Sequence, residues 1–166
     1  MSHTLPERQH VVNAGPPPRT PAGDALTDLV MQVVRLIRDF TAAGEALARP
    51  AGQTLARWLV LEAVQDQPAT VAQIARDLHL ARQGVQRLAD VLVRDGLAAY
   101  EPNPAHRRAK LLRLTPEGRS ALRTVQAAQV RWADALGAEL GEADLRQAGA
   151  VLDRVLESIR KPELAP

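Results

Sequence analysis

The sequence predicts a mainly α-helical chain with one short β-hairpin: a helix-turn-helix followed by a wing, flanked by longer helices. Three observations carry this. Apolar residues recur at spacings of three and four along most of the chain from residue 24 to residue 160. Two short helical stretches, residues 70–78 and 82–95, are separated only by His79-Leu80-Ala81. Directly after them, residues 97–101 and 109–114 read as paired strands around a loop at 102–108, kept irregular by Pro102 and Pro104.

Composition agrees. Of 166 residues, 46% are hydrophobic but only 2% aromatic, so the core must be aliphatic and alanine-rich, which favours helices. No apolar run approaches the ~20 residues that span a bilayer. The N-terminus lacks the charged-then-apolar pattern of a signal peptide. These points lead us to expect a cytoplasmic protein with no membrane partner. The absence of cysteine excludes disulfides, cysteine-ligated zinc, a thiol nucleophile and a thiol redox switch. His3, His10, His79 and His106 have no metal-ligand spacing. With no nucleophile–base pair and no glycine-rich phosphate loop, we expect neither an enzyme nor a cofactor or metal site.

The net charge of +2 says little, but its distribution says more. Residues 69–113 hold eight bases against four acids, while the rest of the chain is net acidic. Positive charge is thus concentrated on the helix-turn-helix and wing, as a phosphate-facing surface requires.

The elements follow in order. Residues 1–23 read as a flexible tail, because Pro16-Pro17-Pro18, Pro21, Gly15 and Gly23 oppose a helix. Asp24 is the expected cap of a helix to about residue 49, with Leu26, Leu29, Val30, Val33, Val34, Ile37 and Phe40 on one face. Pro50 and Gly52 end it, and residues 24–53 form one segment. A helix from about 54 to 65 should turn Leu55, Trp58, Leu59 and Glu62-Ala63 to one side. Thr70 and Gln73 have capping-box spacing. Val71, Ile74, Ala75 and Leu78 then face inward, as do Val85, Leu88, Ala89 and Leu92 of the next helix, which Gly96 closes. Gly84, early in that helix, either permits close approach of a phosphate or a neighbouring helix or is simply tolerated there. Thr115-Pro116-Glu117 is a helix start with an N-cap threonine, proline at the first position and an acid at the positive end. That helix reaches about residue 140. A last one runs from 142 to about 160, with Leu145, Ala148, Val151, Leu152, Val155, Leu156 and Ile159 on one face, and residues 162–166 form a tail. The stripes on residues 24–53 and 115–161 exceed what a winged domain at 54–114 can cover, so a second copy of the chain is the expected partner.

The front of the second helix of the pair carries Arg82, Gln83, Gln86 and Arg87, residue types that read guanine and adenine edges in a major groove. Arg107 and Arg108 stand at the wing tip for the adjacent minor groove, with Lys110 and Arg113 at phosphates or in solvent. Double-stranded DNA is therefore the expected partner, bound by two copies at a pseudo-palindromic site.

Three stretches in order, Leu92-Val93-Arg94-Asp95-Gly96-Leu97, Asn103-Pro104-Ala105-His106-Arg107-Arg108-Ala109 and Leu114-Thr115-Pro116-Glu117-Gly118, resemble the MarR family of bacterial transcriptional regulators. The resemblance covers about residues 54–122. It implies a winged-helix dimer whose terminal helices associate, operator binding, usually as a repressor, and release by a small aromatic or anionic effector. Arg108 aligns with the family's wing arginine. His106 stands where many members have the aspartate that braces that arginine. The implied effector crevice lies between the dimerisation helices and the winged domain, with Arg38, Arg57 and Trp58 as candidate lining residues. The competing reading is a winged-helix module for protein contacts or for DNA binding without sequence preference.

Overall fold

A computed structural model describes residues 18–106 and 108–162. The chain divides into two units, Met1–Phe40 and Thr41–Pro166. The boundary falls inside the first helix, α1 (Pro21–Ala48).

In the first unit, α1 begins earlier than the sequence suggests. Residues 1–17 of the expected tail lie outside the described residues, but 21–23 are helical. Thr20, not Asp24, opens the helix: its hydroxyl accepts from Gly23 N at 3.1 Å. Pro21 is tolerated because the first helical position has no N–H to satisfy. Leu26, Val30, Val34, Ile37 and Phe40 are all exposed.

The second unit holds the end of α1, a 3-10 turn (Arg49–Ala51) and the remaining elements: α2 (Leu55–Ala63), β1 (Ala69–Thr70), α3 (Val71–Asp77), α4 (Arg82–Arg94), β2 (Ala98–Glu101), β3 (Leu111–Leu114), α5 (Pro116–Leu140) and α6 (Glu142–Ile159). Its core is built at the spacings the sequence shows. Val71, Ile74 and Ala75 of α3 meet Val85, Ala89 and Leu92 of α4, and Leu112, Leu114 and Leu122 close over them. α2 departs from expectation. Its buried residues are Val60 and Leu61, followed by Val64, whereas Leu59 and Glu62 face solvent. Nearly every side chain of α2 is apolar, so periodicity alone left its inward face ambiguous. Leu55 packs on α1, where a Cβ at Gly44 would meet its side chain at 2.8 Å.

The sheet is three-stranded and antiparallel, in the order β1-β3-β2. Ala69 pairs with Leu112 and Thr70 with Leu111, while Ala98 pairs with Leu114 and Tyr100 with Leu112. β1 was not expected. Its Thr70 serves twice, pairing with β3 and capping α3 through the full capping box with Gln73. The wing strands are shorter than expected, so the connecting loop runs from 102 to 110.

The junction of α4, β2 and α5 fixes the winged unit. Gly96 has φ 74°, and Leu97 N bonds Leu92 O at 2.9 Å, which closes α4 with a left-handed glycine. Thr115 caps α5 by accepting from Gly118 N at 3.0 Å and donates its hydroxyl to Gly96 O at 2.7 Å. Its own N–H bonds Leu97 O at 3.1 Å. A Cβ at Gly118 would collide with that same Leu97 carbonyl, so the start of α5 sits on the end of α4 only because residue 118 is glycine.

Candidate nucleic-acid interface

α4 presents one face to solvent. Arg82, Gln83, Gln86, Arg87 and Asp90 are exposed along it, opposite the buried Val85, Ala89 and Leu92. Its N-cap, Ala81, makes no side-chain hydrogen bond, and its first turn carries no acid. Arg82 stands at the positive end of the helix dipole, where a base costs a few tenths of a kcal/mol (about 0.3–1) unless an anion arrives to offset it. Gly84 has no atom within 4 Å of its Cβ position, so no neighbouring helix approaches there.

The wing loop is held by Asn103. Its side chain accepts from Ala105 N at 3.0 Å and its carbonyl from His106 N at 3.2 Å. Ala109 N then bonds His106 O at 3.0 Å, which turns the chain back toward β3. Arg107 lies outside the described residues. Arg108 is exposed and forms no ion pair among the described residues. Arg113, expected at phosphate or in solvent, pairs across the hairpin with Glu101 at 3.1 Å.

Helix and wing meet in one cleft of about 270 Å³, where Arg82, Gln86, Arg108 and Lys110 line the walls together with Thr70 and Tyr100. Four of the seven residues expected to touch DNA thus converge, while Gln83 and Arg87 are exposed on the same helix.

The sequence puts Asp90 on the polar face of α4 but gives no site role to Tyr100. Tyr100 Oη donates to Asp90 Oδ1 at 2.9 Å and accepts from Gln86 Nε2 at 2.8 Å. Gln86 Nε2 also donates to Asp90 Oδ1 at 2.9 Å. Burial and the neighbouring Asp90 push the Tyr100 hydroxyl up to about 12, so it stays protonated and able to donate. The signal was a lone tyrosine on the strand that follows the helix; only the fold brings residue 100 beside residues 86 and 90.

The candidate effector residues have other partners. Arg38, in the first unit, pairs with Asp39 at 2.9 Å. Arg57 Nη2 pairs with Asp95 Oδ2 at 2.7 Å, joining α2 to the end of α4, and its buried Nε has no hydrogen-bond partner among the described residues. Arg94 bonds the other oxygen of Asp95 at 3.2 Å. Burial pushes the Asp95 carboxyl up, but hydrogen bonds and charge from Arg94 and Arg57 outweigh it and hold it below its ordinary value. Trp58 packs against the core and donates its indole N–H to Glu62 at 2.9 Å. Gln126 of α5 bonds Glu62 at 3.1 Å and Gln65 as well. Among the described residues no cluster of His, Asp or Glu fits a metal ion, and no helix is long and apolar enough to cross a membrane.

A two-stranded wing behind a helix-turn-helix, with one cleft shared between them, defines a winged-helix protein. The model of the MarR family matches residues 51–109. Over 102 residues the chain is 44% identical to the uncharacterized protein Rv2011c of Mycobacterium tuberculosis, covering 61% of this chain and 71% of that one. It is similar in structure to the MarR family transcription regulator SP03579, with TM-score 0.73 and 26% identity, over 85% of this chain and 99% of that one. It also shares its fold with the transcriptional repressor CouR bound to a 23-mer DNA duplex, with TM-score 0.71 and 23% identity, over 84% of this chain and 99% of that one. CouR from Rhodococcus jostii RHA1 has also been solved with p-coumaroyl-CoA. The chain belongs to the MarR family of winged-helix transcription regulators.

Proposed function

We propose that this chain is a cytoplasmic, sequence-specific DNA-binding repressor that acts as a homodimer on a pseudo-palindromic operator and releases it on binding a small aromatic or anionic effector. The observation that carries the DNA reading is the cleft in which Arg82 and Gln86 of the helix meet Arg108 and Lys110 of the wing. α4 enters the major groove with Arg82, Gln83, Gln86 and Arg87 toward base edges and phosphates. Arg107 and Arg108 reach the neighbouring minor groove, where a narrow A·T tract concentrates negative potential. The uncapped start of α4 adds backbone N–H groups for a phosphate. CouR on its duplex supports the same docking of a shared fold.

The dimer reading rests on apolar surface. α6 has no buried residue, and in α5 the buried residues end at Val125, while Val130, Leu140, Leu145, Leu156 and Ile159 are exposed. A second copy covers such faces, so residues 24–53 and 115–161 serve association and 54–114 serve DNA. For the effector, Arg57 and Trp58 are the candidates in the second unit and Arg38, separately, in the first. An anion that takes the Arg57 guanidinium from Asp95 loosens the end of α4, which gives ligand binding a route to the DNA-reading helix.

The test is selection of bound duplexes from a random pool, followed by titration of the selected site against a scrambled duplex at two salt concentrations. The expected result is a preference of about 10³ or more with a steep salt dependence. Equal affinity for both duplexes makes the protein a coat for DNA. No binding at low salt makes the winged unit a protein-contact module.

A further inference from the structure

Gln86 stands on the DNA-reading face, yet its amide is already engaged. Its nitrogen donates inside the protein, to Asp90 Oδ1 at 2.9 Å and to Tyr100 Oη at 2.8 Å. Chemistry settles the orientation of the amide. An ionised carboxylate only accepts, so the group facing Asp90 must be the NH₂, and the tyrosine hydroxyl spends its own proton on the same carboxylate oxygen. The Gln86 oxygen, Oε1, takes no partner among the described residues.

A glutamine with an N–H free to point at the base recognises adenine bidentately, giving a proton to N7 and taking one from N6. Here the nitrogen that would give the first of those bonds is turned to Asp90 and Tyr100. Resting on the DNA reading above, we propose that Gln86 is a hydrogen-bond acceptor only, held so by Tyr100 and Asp90, and that it selects a base with an exocyclic amino group rather than adenine alone. In the major groove adenine and cytosine offer such a donor, whereas guanine and thymine turn acceptors toward the same place. Tyr100 and Asp90 are then positioning residues, and the operator carries one position per half-site at which adenine and cytosine are interchangeable. The arrangement also explains an acid on a phosphate-facing helix. Asp90 Oδ1 accepts two protons' worth of hydrogen bonds from Tyr100 and Gln86, and it sets the direction of the amide.

The experiment compares base preferences of the wild type, Gln86→Ala and Tyr100→Phe on the selected operator, with substitutions made in both half-sites. Gln86 is exposed, so its alanine variant folds, and circular dichroism checks the phenylalanine variant. At the position whose preference disappears in Gln86→Ala, the wild type should bind adenine, 7-deazaadenine and cytosine within about twofold of one another. Guanine or thymine there should cost about tenfold, one hydrogen bond's worth. Tyr100→Phe frees one N–H, so adenine should gain over cytosine and 7-deazaadenine should lose that gain. A merely structural tyrosine would weaken all bases equally, and that result contradicts the assignment. A wild type that already requires N7, or that has no Gln86-dependent position, overturns this inference and leaves the regulator reading intact. A wild type with no sequence preference overturns both.

Discussion

Gly118 shows how a single residue sets the geometry of this site. The run Leu114-Thr115-Pro116-Glu117-Gly118 is legible as a helix start, and the structure agrees: Thr115 caps and Pro116 takes the first position. The purpose of the glycine is not legible, because the group it makes room for, the Leu97 carbonyl, approaches only in the folded chain. Gly118→Ala is expected to destabilise by about 3 kcal/mol or more, since the clash is with backbone and neither partner can swing away. Chemical denaturation checks this, and a loss under 1 kcal/mol (about the cost of an ordinary surface change) would contradict it. The same limit explains Tyr100. Its identity is plain in the sequence, but its role depends on a helix-to-strand contact ten residues apart from Asp90 and fourteen from Gln86.

At the scale of elements, the helices were legible wherever one face is apolar and the other polar, as in α3 and α4. α2 was not, because almost all of it is apolar, and β1 was not, because two residues carry no strand pattern and Thr70 reads as a cap. The end of α4 is pinned to α2 through Arg57 and Asp95. The folded Asp95 carboxyl lies below its ordinary value of 3.8, so its contribution to stability is complete above that value and is lost as pH falls through the depressed one. Denaturation of the wild type and of Asp95→Asn should therefore differ by a constant amount from neutral pH down to about 4, with the difference closing below it. A difference that persists unchanged into strong acid would contradict the ion-pair account.

For the whole molecule, the sequence already showed more apolar helix face than one winged domain can bury. The exposed residues of α5 and α6 agree with it within the second unit, and those of α1 within the first. Light scattering should give the mass of two chains. Leu156→Glu together with Ile159→Glu should shift it to one chain and weaken operator binding, because two helices one DNA turn apart bind with an effective concentration that a single one lacks. An unchanged mass would place the association surface elsewhere.

The central claim, that helix and wing form one DNA-reading surface, rests on Arg108 more than on any other residue, since it carries the wing into the cleft shared with Arg82 and Gln86. The most direct measurement is titration of Arg108→Ala on the selected operator at physiological salt, with circular dichroism and light scattering as controls. A loss of more than about tenfold with fold and mass unchanged is the result expected of an arginine in a minor groove. Wild-type affinity in the variant would contradict the claim.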